Sequence, residues 1–276
     1  MPATFGQFDR QDLADVGVFG GSGFYELLGD VTHHAIQTPY GPPSDALAVG
    51  AYEGVRVAFL ARHGRGHRYP PHAINYRANV WAMASLGVRR ILGPSAAGSL
   101  QAAIKPGDFV VCDQFVDRTS GRAATFYDGS PVVHIAADEP YCPELRELAT
   151  ATGQELGITM HDRGTVVVVQ GPRFSTRAES RWFSASGWEV VNMTQYPEQI
   201  LARELELCYV NMSLITDYDT GLEGEHGIEP VSVAGVVEVF NRNNARLRDL
   251  LLRLIPRVPR ERSCICSRAL SGAVIG

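Results

Sequence analysis

Short apolar runs alternate with amphipathic stretches along this chain. The runs are rich in β-branched residues, and several are continuous rather than alternating, as expected for strands that are buried on both faces. They occupy residues 15–20, 55–61, 89–94, 108–116, 165–171, 189–194 and 208–216. We predict a strand in each of these segments.

Helical patterns lie between some of the strands. They predict helices over 73–86, 143–156, 197–207 and 232–255, the second with Pro143 in its first turn. In the last segment, apolar residues from Val233 to Leu254 recur at the i, i+3, i+4, i+7 spacing. Strands that alternate with helices predict an α/β fold with a mixed, mostly parallel sheet flanked by helices.

The chain reads as a single domain over residues 1–276, because it contains no internal repeat, low-complexity segment or Pro/Gly/Ser-rich linker. We expect a core over about 15–256 and a mobile C-terminal tail over 257–276. The N-terminus lacks the basic start and apolar stretch of a signal peptide, which predicts a cytoplasmic location. The lack of an apolar run near 18 residues argues against a membrane span.

The charge of the chain argues against nucleic acid as a partner. The net charge is −5 and no basic stripe is present, so nucleic acid is not an expected ligand. A small anion could still be bound by a few local Arg and His side chains and by backbone amides.

Five cysteines are present. Cys112, Cys142 and Cys208 stand in apolar surroundings and are expected to be small buried side chains. Cys264 and Cys266 form a C-x-C pair, and the sequence shows no further metal ligand close to it, so no metal site is predicted. A strained local disulfide, or no special role for the pair, remains open.

Polar residues cluster at the carboxyl ends of the predicted strands, which is where ligands bind in open α/β sheets. Gly20–Gly23 could form an anion-binding nest of backbone amides with the Ser22 hydroxyl, or only a tight turn. It matches neither the Gly-Lys-Ser/Thr phosphate loop nor the G-x-G-x-x-G dinucleotide pattern. Arg62 and His63 could bind phosphate as a fork and a second donor, or could be an exposed loop pair.

With these residues, the chain resembles the trimeric purine nucleoside phosphorylase family, in its methylthioadenosine phosphorylase branch. The similarity runs in order over residues 15–256 and includes GVFGGSGFYE, LARHGRGH, SAAGSL, KPGDFVVCDQFVDRT, QGPRFSTRAES, NMTQYPE and TDYDTG. The resemblance implies a homotrimer, or a dimer of trimers, that acts on a purine nucleoside. It implies inorganic phosphate as co-substrate and no other cofactor.

The resemblance also implies roles for individual residues. Phosphate is expected at Ser22, Arg62, His63, Ser95, the backbone of Ala96, and Thr194. The nucleoside is expected at Met193 under the ribose, Asp217 and Asp219 at the base, Phe174 and Ser175 at the border of the base pocket, Val233 and Val237 near a 5′-methylthio group, and His134 from a neighbouring subunit. Ser22 and Ser95 stand where threonine is frequent, and both keep a hydroxyl.

Asp217 is the candidate catalytic acid. Phosphorolysis breaks the C1′–N9 bond through a transition state of oxocarbenium character, and protonation at purine N7 would aid departure of the base. Asp217 can donate that proton only if burial raises its pKa. An ionised carboxylate accepts hydrogen bonds only, so the Asp217 and Asp219 pair favours adenine, with its 6-amino group, over 6-oxopurines.

The predicted reaction is therefore phosphorolysis of S-methyl-5′-thioadenosine to adenine and 5-methylthioribose 1-phosphate. Alternatives are a broader purine nucleoside phosphorylase that acts on adenosine or 6-oxopurine nucleosides, a hydrolytic nucleosidase, and a non-catalytic nucleoside-binding protein. The segment 220–230 could bring His226 near the 5′ position and admit a hydroxyl. Val233 and Val237 could also be simple core residues.

Overall fold

The computed structural model describes residues 10–20, 30–222 and 232–275. The strands are β1 Val16–Gly20, β2 Thr32–His34, β3 Leu47–Tyr52, β4 Val55–Ala61, β5 Arg90–Ser99, β6 Phe109–Val111, β7 Gln114–Arg118, β8 Val132–Val133, β9 Met160–His161, β10 Thr165–Val169, β11 Val190–Asn192, β12 Cys208–Tyr218 and β13 Val274–Ile275. The α-helices are α1 Tyr76–Ser85, α2 Pro143–Glu155, α3 Arg177–Ala185, α4 Gln195–Glu204 and α5 Val233–Leu254.

One large mixed sheet contains 11 of these strands. Its main path runs β2-β3-β4-β1-β5-β11-β10-β7, while β12 lies along β5 and also pairs with β6, which in turn pairs with β9. The pairs β1–β4, β1–β5, β5–β12, β10–β11, β7–β10 and β6–β9 are parallel, and the other pairs of this sheet are antiparallel. The predicted α/β fold with a mixed, mostly parallel sheet is confirmed.

Helices cover both faces of the sheet. Side chains of α1 and α4 join one buried cluster, and side chains of α2 and α5 join the other. Because successive residues of a strand point to opposite faces, neighbours in β1 separate between the two clusters, with Val18 in one and Phe19 in the other. This burial on both faces explains the continuous apolar runs in the sequence. Among the described helices, none combines the length and the apolarity that crossing a bilayer requires.

Strand β5 is the branch point of the large sheet. One of its edges pairs with β12 along nearly all of its length. The opposite edge pairs with β1 over Arg90–Leu92 and with β11 over Gly98–Ser99. Residues 93–97 therefore have no strand partner on that edge within the described part of the chain. This unpaired stretch, which we call the β5 gap, opens the middle of the sheet to a ligand.

The structure differs from the predicted elements in several places. The run over 108–116 is divided between β6 and β7, and β5 continues to Ser99 instead of ending at residue 94. The short helix α3 was not predicted, because its 9 residues span less than three turns, which is too short a window for a helical repeat to stand out. Its sequence signal is a capping box, in which Thr176 and Glu179 bond each other's backbone N–H groups.

The C-terminal tail is packed against the rest of the chain, so the prediction of a mobile tail is wrong. Val258, Cys264 and Cys266 are buried in the cluster that contains α2 and α5. At the end of the tail, β13 pairs with β8 in a separate two-stranded sheet. The apolar residues in this segment are too few and too scattered to show a periodic pattern, which is why the sequence did not reveal its packing.

Candidate active site

Arg62 directly follows β4 and is almost fully buried, with 4% of its surface exposed. Its Nε and Nη2 atoms donate to the two carboxylate oxygens of Glu198 in α4, at 2.7 and 2.8 Å. Its Nη1 atom donates to the Pro94 carbonyl at 3.0 Å. A guanidinium has five N–H donors, so two remain for an anion beside the β5 gap. Burial lowers the pKa of Arg62, but the Glu198 carboxylate outweighs this and leaves the pKa above its ordinary value.

His63 is held in one tautomer by a backbone contact. Its Nδ1 lies 2.9 Å from the Tyr69 carbonyl, which can only accept, so Nδ1 carries the proton. Burial lowers the pKa of His63 to about 4. The neutral ring then offers Nε2 as an acceptor, suited to the hydroxyl of a hydrogenphosphate ion. His63 therefore presents an acceptor to a bound anion, instead of the second donor predicted from the sequence.

The Ser95 hydroxyl is oriented by two asparagines. Asn192 at the end of β11 and Asn211 in β12 donate to its oxygen through their Nδ2 atoms, at 3.2 and 2.9 Å. Asn211 is itself fixed, because the Ser213 hydroxyl donates to its Oδ1 at 2.7 Å. With both of its acceptor sites occupied, the Ser95 oxygen has only its proton left to offer. Ser95 is therefore a preset donor within the β5 gap.

The backbone of Ala96 is the second donor in the β5 gap. Along a strand, the N–H and C=O groups of one residue point to the same edge, and successive residues alternate between edges. The carbonyl of Gly93 accepts a hydrogen bond from the Asn211 side chain of β12, whereas the carbonyl of Pro94 accepts from Arg62 on the opposite edge. The N–H group of Ala96 therefore points to the same open edge as Pro94.

Thr194 lies beside these donors, two residues after the β11 asparagine that contacts Ser95. It is buried and occupies the N-cap position of α4, yet its side chain makes no capping hydrogen bond, so the hydroxyl is not used by the helix. The backbone N–H of Arg62 donates to the Gly20 carbonyl at 3.1 Å, which places the end of β1 at the same position. Ser22 lies outside the described residues.

Asp217 lies near the end of β12, at a register shift opposite Gly98 of β5. The Thr216 hydroxyl donates to its Oδ2 at 2.8 Å. Burial raises the pKa of Asp217 to about 6, and the charge of Asp219 acts in the same direction. A carboxyl group with this pKa is a usable acid near neutral pH. Space for it depends on Gly98, where an added Cβ would lie 3.0 Å from Asp217 Oδ1.

Asp219 and Ser175 supply polar atoms without partners. Asp219 is 2% exposed and Ser175 is 6% exposed. Asp219 Oδ2 and Ser175 Oγ are buried and make no hydrogen bond to any part of the described chain. Burial also raises the pKa of Asp219. The Ser180 and Ser175 hydroxyls lower that pKa in part, and the two unpartnered atoms are available to a ligand near the end of β12.

Met193 packs against a turn whose conformation favours glycine. Gly171 has a φ of +62°, and an added Cβ would lie 2.7 Å from Met193 Sδ. Arg122 holds this turn and the methionine together by donating to the carbonyls of Gln170 and Met193, both at 2.9 Å. The expected ribose-contacting residue is therefore fixed by its backbone.

The remaining predicted residues occupy more open positions. Phe174 is 36% exposed, and Val233 and Val237 on the first turns of α5 are 66% and 50% exposed. The alternative that the two valines are core residues is therefore wrong. His134 follows β8 in the two-stranded sheet, where its N–H donates to Ala273 at 2.9 Å, away from the phosphate and base groups. His226 and most of segment 220–230 lie outside the described residues.

Several residues that orient the site were not identified from the sequence: Glu198 beside Arg62, Asn192 and Asn211 beside Ser95, and Arg122 beside Met193. Glu198 and Asn211 lie inside elements, Asn192 ends β11 and Arg122 lies in the loop after β7, and each acts on a residue that is distant along the chain. One signal was available for Glu198, because a buried arginine requires a carboxylate or several carbonyls.

Comparison with known proteins gives consistent matches over nearly the whole chain. Residues 15–256 match the sequence model of the phosphorylase superfamily. A purine nucleoside phosphorylase from Streptomyces coelicolor is 51% identical, covering 94% of this chain and 95% of that protein. An S-methyl-5′-thioadenosine phosphorylase from Thermofilum pendens is 48% identical, covering 94% and 98%. The structure of methylthioadenosine phosphorylase from Schistosoma mansoni in complex with adenine is 36% identical, with a TM-score of 0.88, covering 95% and 99%.

Proposed function

The chain belongs to the phosphorylase superfamily, and from this membership we propose that it cleaves S-methyl-5′-thioadenosine with inorganic phosphate. The products are adenine and 5-methylthioribose 1-phosphate. The observation that carries the choice of base is the pair Asp217 and Asp219, because it presents buried carboxyl groups, one of them with an unpartnered oxygen. The protein is accordingly a pentosyltransferase.

The reaction requires the attacking phosphate and the departing purine to lie on opposite sides of C1′. A phosphate oxygen forms the new bond to C1′ while the C1′–N9 bond breaks and its electron pair moves to the purine. Arg62, Ser95, the Ala96 amide and Thr194 bind and orient the phosphate, and His63 Nε2 accepts a hydrogen bond from the phosphate hydroxyl, which keeps its proton. Asp217 in its protonated form donates to N7, so the base leaves as a neutral purine.

The specificity follows from Asp217 and Asp219 together. Each has a carboxyl oxygen that can accept from the 6-amino group of adenine, and the Oδ2 atom of Asp219 is buried without a donor. A 6-oxo group would place an acceptor against this acceptor and leave both unpaired, which costs about 1–3 kcal/mol for each buried group. On the 5′ side, exposed Val233 and Val237 offer an apolar wall for a methylthio group.

A broader purine nucleoside phosphorylase is the second candidate, because the Streptomyces coelicolor relative with that name is 51% identical. The two candidates share the phosphate site and differ at the 5′-substituent and the base. A non-catalytic nucleoside-binding protein is the alternative of another class, and it would release no base at all.

The test is base release from S-methyl-5′-thioadenosine, adenosine and inosine, each with and without phosphate. We expect phosphate-dependent release that is fastest with S-methyl-5′-thioadenosine. Equal release without phosphate would show a hydrolase, and fastest release from inosine would contradict the role given to Asp219. Unchanged rates after treatment with EDTA would agree with the expectation that phosphate is the only co-substrate and that no metal takes part in the chemistry.

The proposal includes a homotrimer in the cytoplasm. Val132, Val274 and Ile275 are exposed apolar residues beside His134, at 50, 50 and 61%, and a second copy that covers them would bring His134 toward its neighbour's site. A cytoplasmic location would keep the five free thiols reduced. Native mass spectrometry distinguishes a trimer from a dimer of trimers, and cell fractionation tests the location.

A further inference from the structure

Four cysteines from distant parts of the chain lie together in the core, and none of them takes part in the proposed reaction. Cys142 immediately precedes α2, Cys208 begins β12, and Cys264 and Cys266 lie in the C-terminal tail. All four are buried, and their Sγ atoms all lie within 4.8 Å of one another. The sequence analysis found no further ligand near the C-x-C pair, and that expectation is wrong because the fold brings Cys142 and Cys208 to it.

The spacing of the sulfur atoms fits a metal better than disulfides. A zinc–thiolate bond of about 2.3 Å places the corners of a tetrahedron about 3.8 Å apart. The Cys208 and Cys264 Sγ atoms are 3.4 Å apart, and the largest separation in the group needs to shrink by about 1 Å to reach this value. Disulfides need only pairs of sulfurs at about 2.0 Å, and they do not require all four to converge.

Two groups beside the cluster offset part of the charge of metal-bound thiolates. Arg90 is 2% exposed, and its Nη1 lies 3.8 Å from Cys208 Sγ while it also donates to Glu144 Oε2 at 2.8 Å. Its Nε is buried and has no hydrogen-bond partner in the described part of the chain. Cys142 occupies the N-cap position of α2, at the positive end of the helix dipole. Neutral disulfides would use neither feature, whereas thiolates are stabilised by both.

We propose that Cys142, Cys208, Cys264 and Cys266 bind one zinc ion as four thiolates. The ion displaces four thiol protons to solvent and leaves a complex of net charge −2, which Arg90 offsets in part. Four protein ligands fill the tetrahedron, so the site is structural rather than catalytic. It would join the C-terminal tail to β12 and α2, and it is independent of the proposed phosphorolysis.

The test uses reduced, metal-free protein titrated anaerobically with Co²⁺ and then with Zn²⁺. We expect the charge-transfer and visible bands of a tetrahedral cobalt–thiolate site, complete at one equivalent and lost when Zn²⁺ displaces the cobalt. Cys208→Ser and Cys264→Ser should each lower the band intensity at least fivefold. The matched control is Cys112→Ser, since Cys112 is buried but lies outside the cluster, and it should retain the full signal.

A second measurement does not depend on variants that fold. One equivalent of Zn²⁺ should raise the Tm of the reduced wild-type protein by more than about 5 °C, and a chelator should reverse the shift. Absence of thiolate bands, or equal bands in Cys208→Ser and Cys112→Ser, would overturn the proposal. An intact mass showing one or two disulfides in protein purified without reductant would overturn it as well. Base release with phosphate is measured separately, so failure of this proposal is distinguishable from failure of the proposed function.

Discussion

The proposed phosphate side and the proposed purine side of the site differ in how their polar groups are satisfied. On the phosphate side, Arg62 and Ser95 are held by carboxylate, carbonyl and amide partners, and only their spare donors face the ligand. On the purine side, Asp219 and Ser175 keep buried atoms unpaired. The phosphate donors are thus assembled before the ligand arrives, whereas the base pocket is completed by the base. Substitutions on the phosphate side should therefore change the stability and the KM for phosphate, whereas substitutions on the purine side should change the chemical step and the choice of base.

The largest effect is expected from Glu198→Gln. Removing the carboxylate leaves the buried Arg62 charge unpaired, and breaking a buried pair costs about 3–5 kcal/mol. We expect a lower free energy of unfolding in urea and a higher KM for phosphate. Glu204→Gln in the same helix is the control, because Glu204 is also buried but bonds Thr125 and Phe126 instead. An unchanged phosphate KM in Glu198→Gln would contradict the preassembled phosphate side.

Asp217→Asn should mainly affect the chemical step. Loss of the acid at N7 should lower kcat/KM for S-methyl-5′-thioadenosine by about 100-fold or more. The amide can donate to a 6-oxo group, so the ratio of inosine to S-methyl-5′-thioadenosine activity should rise. Stability should change little, in contrast to Glu198→Gln. An unchanged ratio of the two activities, measured by base release, would remove the role given to Asp217.

The pH dependence should report the same carboxyl group. Burial raises the pKa of Asp217 to about 6, and the protonated form is the acid, so kcat/KM should fall as the pH rises through about 6. His63, with a pKa lowered to about 4, does not titrate in that range. The ratio of wild-type to Asp217→Asn rates at each pH cancels the ionisation of phosphate itself. If that ratio were flat between pH 5 and pH 8, Asp217 would not be the titrating acid.

The smallest effect is expected from Ser95. Ser95→Ala removes one donor to phosphate and also leaves the Asn192 and Asn211 amides without one acceptor, which together should raise the phosphate KM about tenfold. Ser95→Thr keeps the hydroxyl and serves as the matched control, with a KM within about twofold of the wild type. The kcat at saturating phosphate should be similar in both. A decrease in kcat with unchanged KM would place Ser95 outside the phosphate site.

Polar residues that follow an apolar run could be picked out from the sequence, whereas the residues that contact them from distant parts of the chain could not. Arg62 and Asp217 drew attention as polar residues that follow apolar runs, the resemblance suggested their roles, and the fold follows from the alternation of strands and helices. Glu198 and Asn211 act across more than 100 residues of chain, and no local pattern records such pairings. The convergence of Cys142 with Cys264 escaped detection for the same reason.

The length of β5 shows a further limit of local patterns. The apolar run stops at residue 94, yet pairing with β12 continues as far as Ser99. The small and polar residues beyond the run remain extended because β12 supplies their backbone partners. These side chains border the candidate site and are small or polar. A prediction from hydrophobicity alone therefore ends the strand too early.

Pro94 keeps the β5 gap unpaired, because its nitrogen cannot donate a backbone hydrogen bond. Its carbonyl faces the open edge, so the nitrogen that lacks a hydrogen faces the same way. A strand that slid along this edge would meet a ring where the ladder requires an N–H donor, and pairing could not propagate. Pro94 thus prevents a neighbouring strand from pairing across the β5 gap. The covalent structure of Pro94 therefore keeps the β5 gap open, and no binding energy from the substrate is needed to separate paired strands there.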